Sequence, residues 1–114
     1  MRRGEVYWGN PPTPGSERKR RPFLVVSDDA FNANDRWTKV VVVHLTSAAR
    51  AGGPFDWEVE LPRGAANLPL ASVVKCGEPY TFWKRQLVEH MGTLSADDMV
   101  RVDAALRTAL GLRA

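Results

Sequence analysis

The side chains in this sequence that could do chemistry are arginines, hydroxyls and carboxylates. The run Gly15-Ser16-Glu17-Arg18-Lys19-Arg20-Arg21-Pro22 places four cations and one carboxylate in a turn-forming stretch. It opens directly into the apolar strand Phe23–Ser27. A planar guanidinium matches the geometry of phosphate oxygens, so the loop suits a polyanion. Arg21 precedes Pro22, which holds it extended at the mouth of the strand. Thr46-Ser47 closes a second strand, Lys39–Leu45, at the kind of rim where functional residues are presented. Thr46 shares a strand face with His44, two residues back. If these two strands are neighbours, the Arg21 guanidinium and the Thr46 hydroxyl flank one phosphate.

Other chemistries find less support. His44 and His90 lie in different segments without a His or Cys at ligand spacing, so no metal is expected. There is no nucleophile elbow and no glycine-rich phosphate loop before a helix, so no cofactor is expected either. The single cysteine, Cys76, excludes an internal disulfide. The longest apolar runs are strand-sized, and no apolar signal segment follows Met1-Arg2-Arg3-Gly4, so a cytoplasmic protein without a membrane role is expected. The chain carries 16 Lys and Arg against 13 Asp and Glu. Removing the four cations of the loop leaves 12 against 13, so the formal charge of +3 comes from that loop. Nucleic acid is the partner this balance favours.

The elements that must position these residues are mostly short strands. At 114 residues, one domain spanning 1–114 is expected. Val6–Trp8, Phe23–Ser27, Lys39–Leu45, Trp57–Leu61, Ala71–Cys76 and Leu87–Met91 read as strands. Three prolines between Asn10 and Gly15 forbid regular structure there, and Asp28–Asn32 reads as a capped helical turn. Strict alternation in Trp57–Leu61 predicts one buried face and one carrying carboxylates, while Gly77 and Pro79 are expected to end the strand before them. So many short strands imply a strongly bent sheet or small barrel. The C-terminus is helical: Ser95 offers an N-cap, Leu94 a staple onto Met99, and Gly111 a stop. Met99, Val102, Leu106, Ala109 and Leu110 form its apolar stripe. Trp8, Phe23, Trp57 and Phe82 read as core; Tyr80 and Trp83 are candidates to stack on bases; Trp37 reads as an exposed anchor or dimer contact.

In this order, Arg2–Trp8, Gly15-Ser16-Glu17, Arg20–Ser27, Val42–Ser47, Thr81–Leu87, Met91–Ser95 and the final helix resemble the MazF/PemK family, toxins of bacterial toxin–antitoxin pairs. The resemblance implies an SH3-like barrel of the CcdB/MazF type with a C-terminal helix, acting as a homodimer. It implies metal-independent cleavage of single-stranded RNA at short motifs, with growth arrest as the outcome and a MazE-like antitoxin tail as the neutralising partner. By position, Arg21 and Thr46 fall on catalytic residues and Glu17 on a loop position tied to activity. Ser16, Arg18, Lys19, Arg20, Ser47, Glu78 and Tyr80 fall where RNA is contacted. The implied reaction is attack by the ribose 2′-hydroxyl on the adjacent phosphorus, leaving a 2′,3′-cyclic phosphate and a 5′-hydroxyl. Arginine is a poor general base, so Arg21 is expected to stabilise charge and to protonate the leaving oxygen. The group that accepts the 2′-hydroxyl proton stays open between Glu17, His44 and water.

Three departures from the family pattern stand out. Arg18 replaces a common Gln, Cys76–Tyr80 replaces a segment that usually carries an acid and then Gln, and Asn10-Pro11 replaces an Asp-Leu step. Recognition is therefore expected to differ from that of better-matched members. Two other readings compete with the nuclease: a CcdB-like inhibitor of DNA gyrase, which would tolerate loss of Arg21 and Thr46, and a barrel that binds RNA without cutting it.

Overall fold

The computed structural model of the chain describes residues 1–10, 20–47 and 52–112. In chain order the elements are β1 (Glu5–Gly9), β2 (Arg21–Val25), a short helix α1 (Asp29–Asn32), β3 (Lys39–Thr46), β4 (Glu58–Leu61), β5 (Ser72–Trp83), β6 (Leu87–Thr93) and α2 (Ala96–Leu110). Single 3-10 turns occupy Ala65–Asn67 and Lys84–Gln86. All strand pairings are antiparallel, in the order β4-β5-β3-β2-β1-β6. The fold is thus mainly β with a C-terminal helix, as expected. The sheet does not close between β4 and β6, so "barrel" describes only its curvature.

The sheet buries apolar residues on both faces, which explains why β3 reads Val40-Val41-Val42-Val43 without alternation. Leu24, Val43, Leu45, Val74 and Cys76 face α2 and pack with its Val102, Ala105 and Leu106. The alternate residues Phe23, Val25, Val40 and Val42 meet Phe82 and Leu87 in a second cluster. The helix starts where the sequence places it: Ser95 Oγ accepts from the Asp98 backbone N–H at 3.1 Å, and Gly111 ends it at φ 70°. Leu110, expected in the buried stripe, is exposed past the end of the sheet. An ion pair, Arg3 Nη2 to Asp103 Oδ1 at 2.7 Å, and a hydrogen bond from Arg101 Nη2 to the Glu60 carbonyl at 2.9 Å anchor α2 to β1's approach and to β4.

Several local expectations need correction. β5 does not stop at Cys76 but runs through Gly77 and Pro79 to Trp83. It can do so because the ladder is interrupted there. Val43 pairs Pro79 and Leu45 pairs Val74, so His44 alone on β3 faces the four residues Lys75–Glu78 on β5. The surplus bulges out and removes the need for a ladder donor at the proline. In β4 the alternation fails: Glu58 is buried and Trp57 is exposed. Glu58 points inward because Lys75 sits directly opposite it and bonds its carboxylate at 2.8 Å. Trp57 instead stacks on Phe55 outside the core, with ring centroids 4.6 Å apart. Trp8 is half-buried, whereas Phe23 and Phe82 are core as expected.

Candidate functional site

The two strands that carry the predicted site are neighbours. Phe23 pairs His44, Leu24 pairs Val43 and Val25 pairs Val42. Two further steps at this register bring Arg21 to Thr46, on the face they share with Phe23 and His44. Arg21, Thr46 and Ser47 line a cleft of about 140 Å³ together with Trp8, Arg20 and Leu70.

The electrostatics of the cleft are uneven. Arg20 Nη1 lies 3.4 Å from the Glu89 carboxylate. Among the described residues Arg21 has no ion pair and no side-chain hydrogen bond, so its guanidinium is left with open donors. The Thr46 hydroxyl is buried without a hydrogen-bond partner among the described residues. A buried polar atom without a partner is uncommon and costs stability unless a ligand or water meets it. An open guanidinium and an unsatisfied hydroxyl at one cleft can hold an anion with planar oxygens.

Beside Thr46, the His44 ring lies edge-on to Tyr80, with centroids 5.7 Å apart, and its Nε2 is 3.4 Å from Glu78 Oε2. The β3–β5 register, in which Val43 pairs Pro79, puts Glu78 there, bringing together two residues the sequence did not connect. Further across the sheet, Tyr7 donates to Glu5 Oε1 at 3.2 Å, and His90 Nε2 is 3.2 Å from Glu5 Oε2. Burial first, and then the Glu5 charge and hydrogen bond, push the Tyr7 phenol up to about 12.

Not every candidate joins the cleft. Ser16, Glu17, Arg18 and Lys19 lie outside the described residues. Trp37 and Trp83 are exposed and flank Lys39, whose Nζ is 5.8 and 4.9 Å from their ring centroids. Lys39 begins β3 and Thr46 ends it, so this aromatic cluster stands about 23 Å from Thr46 at strand rise. Among the described residues no three His, Cys, Asp or Glu side chains are grouped to hold a metal, and no helix is long and apolar enough to cross a membrane.

The family model described as PemK-like, MazF-like toxin of type II toxin-antitoxin system matches residues 2–110. The chain belongs to this family. It is 36% identical over 112 residues to endoribonuclease MazF6 of Mycobacterium tuberculosis, covering 96% of both chains. It is 31% identical to a probable endoribonuclease MazF of Mycolicibacterium smegmatis, with 98% of each chain covered. Among solved structures it resembles a mycobacterial endoribonuclease in complex with its cognate antitoxin. The TM-score there is 0.81 at 28% identity, covering 100% of this chain and 98% of the other. Membership gives the cleft between β2 and β3 a toxin context that its geometry alone does not supply.

Proposed function

We propose that this chain is the endoribonuclease toxin of a type II toxin–antitoxin pair. It acts in the cytoplasm as a homodimer and cuts single-stranded RNA at short sequence motifs without a metal ion. The ribose 2′-oxygen attacks the adjacent phosphorus and the 5′-oxygen leaves, giving 2′,3′-cyclic phosphate and 5′-hydroxyl ends. DNA is spared because it lacks the nucleophile. Arg21 stabilises the charge that builds on the non-bridging oxygens and protonates the leaving oxygen; Thr46 holds the phosphate through its hydroxyl. Ser16, Glu17, Arg18, Lys19 and Arg20 grip the RNA backbone. Ser47, Glu78 and Tyr80 also meet the strand, and a disordered, acidic antitoxin tail covers the same surface and folds on binding.

The observation that carries this reading is the meeting, at one cleft, of an Arg21 guanidinium without a partner and a Thr46 hydroxyl without a partner among the described residues. Purified protein incubated in EDTA with a long unstructured RNA, followed by mapping of fragment ends, tests it. Discrete cuts with 5′-hydroxyl ends are expected. Arg21→Ala should slow them by about a hundred- to thousand-fold, the usual loss for one preorganised donor. Bound but intact RNA would leave a non-catalytic binding protein. RNA neither bound nor cut would turn attention to a gyrase supercoiling assay.

A further inference from the structure

The reaction needs a group to accept the 2′-hydroxyl proton, and arginine and threonine are both poor at it. We infer that His44 is that general base and that Glu78, set opposite it by the β3–β5 register, is its positioning residue. The inference rests on the nuclease reading above.

Three observations support it. His44 lies two residues from Thr46 on the same strand face, so the imidazole and the Thr46 hydroxyl, about 7 Å apart in backbone rise, border the same stretch of surface. The ring is held on one side only: Nε2 is buried and points toward Glu78 Oε2 at 3.4 Å, while Tyr80 packs edge-on against it. No described residue hydrogen-bonds Nδ1, which leaves that nitrogen available on the other side of the ring. A carboxylate on one imidazole nitrogen fixes the proton there and leaves the lone pair on the other, the orientation a base requires. The Nε2 contact is longer than an aligned hydrogen bond, as is common in sites without substrate.

The register sets this pair. Val43 pairs Pro79, and one further step at that register brings His44 opposite Glu78. The ladder breaks only beyond them, where Leu45 pairs Val74.

The step balances as follows. The 2′-oxygen–phosphorus bond forms while the 2′-hydroxyl proton passes to His44 Nδ1. The phosphorus–5′-oxygen bond breaks, and the 5′-oxygen takes a proton from Arg21, which recovers one from water. The imidazolium then releases its proton to water. Glu78 and Tyr80 from β5 are the titratable groups facing the ring, and the β2 residue opposite it is the apolar Phe23.

The test uses the wild-type chain, His44→Ala and Glu78→Gln, each shown to be folded by its melting transition. Single-turnover cleavage of the mapped RNA and affinity for the same RNA with a 2′-deoxy ribose at the cut are measured together. His44→Ala should lose about 100- to 10,000-fold in rate, regain part of it with added imidazole, and bind the deoxy RNA within twofold of wild type. Glu78→Gln, which also removes an RNA contact, should lose several-fold more in single-turnover rate at saturating RNA than in affinity for the deoxy RNA. Near-wild-type cutting by His44→Ala overturns the assignment of the base, and so does a loss that imidazole does not restore or that tracks lost affinity. A Glu78→Gln rate at saturating RNA that matches wild type overturns its positioning role. If the wild-type chain itself cuts no RNA, the nuclease reading fails and this one falls with it.

Discussion

At the scale of single residues, the Thr46 hydroxyl separates stability from activity. It is buried and unsatisfied among the described residues, so removing it relieves a desolvation cost. Thr46→Val, which keeps the β-branched shape, is expected to be neutral or stabilising by up to about 1 kcal/mol in a denaturant titration. The same variant should lose most RNA cleavage. A destabilised Val variant would mean that the hydroxyl has a structural partner. Cys76 makes the opposite case, a reactive group kept silent. Burial, and then the charges of Asp103 and Glu58, push its thiol up to about 12 from 9.0. A thiol-alkylating reagent at pH 8 should therefore leave the native protein unmodified and label it fully once unfolded. Both Cys76 and Tyr7 hold their protons more tightly folded than unfolded. Their contribution to stability is present in full at neutral pH and is lost as pH rises from about 9 for the thiol and 10 for the phenol towards 12. Thermal melts at pH 7 and pH 11 check that direction.

At the scale of elements, the buried Glu58–Lys75 pair fastens β4 to β5. Glu58→Ala leaves the partly buried Lys75 ammonium unpaired, and a loss of about 1–3 kcal/mol is expected in chemical denaturation. Gly92 matters for a different reason: a Cβ there would sit 2.4 Å from the Ala66 carbonyl oxygen, on backbone that cannot swing away. Gly92→Ala should lower the melting temperature by pushing β6 from the 3-10 turn at Ala65–Asn67. These two features also mark where sequence reading stops. The β2 and β3 strands were legible because Arg21-Pro22 and Thr46-Ser47 flank runs whose composition fits strands, but their adjacency entered the sequence reading only as a condition. The helix was legible through its cap, its apolar stripe and Gly111. The inward turn of Glu58 was not, because it depends on Lys75 lying across the sheet, and period-two patterning carries no information about a partner strand. The β5 bulge was missed for the same reason: Gly77 and Pro79 signal a break in a ladder, and a break is compatible with an ending or with a bulge. His44 was visible as a residue, but its carboxylate became visible only with the register.

At the scale of the whole molecule, the net positive charge is accounted for by the four cations from Arg18 to Arg21. For single-stranded nucleic acid each neutralised phosphate contributes about 0.7 to the slope of log affinity against log salt. Replacing Arg18, Lys19 and Arg20 by glutamine should reduce that slope by about 2 if all three meet phosphates. An unchanged slope would place the grip elsewhere on the protein. The topology also bears on timing. β1 pairs β6, so the first strand of the chain finds its outer neighbour only in the last. A chain truncated after Gln86 should therefore be poorly folded and inactive towards RNA. During synthesis the ribosome would hold a harmless polypeptide until β6 emerged, and the message being read would be spared by its own product up to that point.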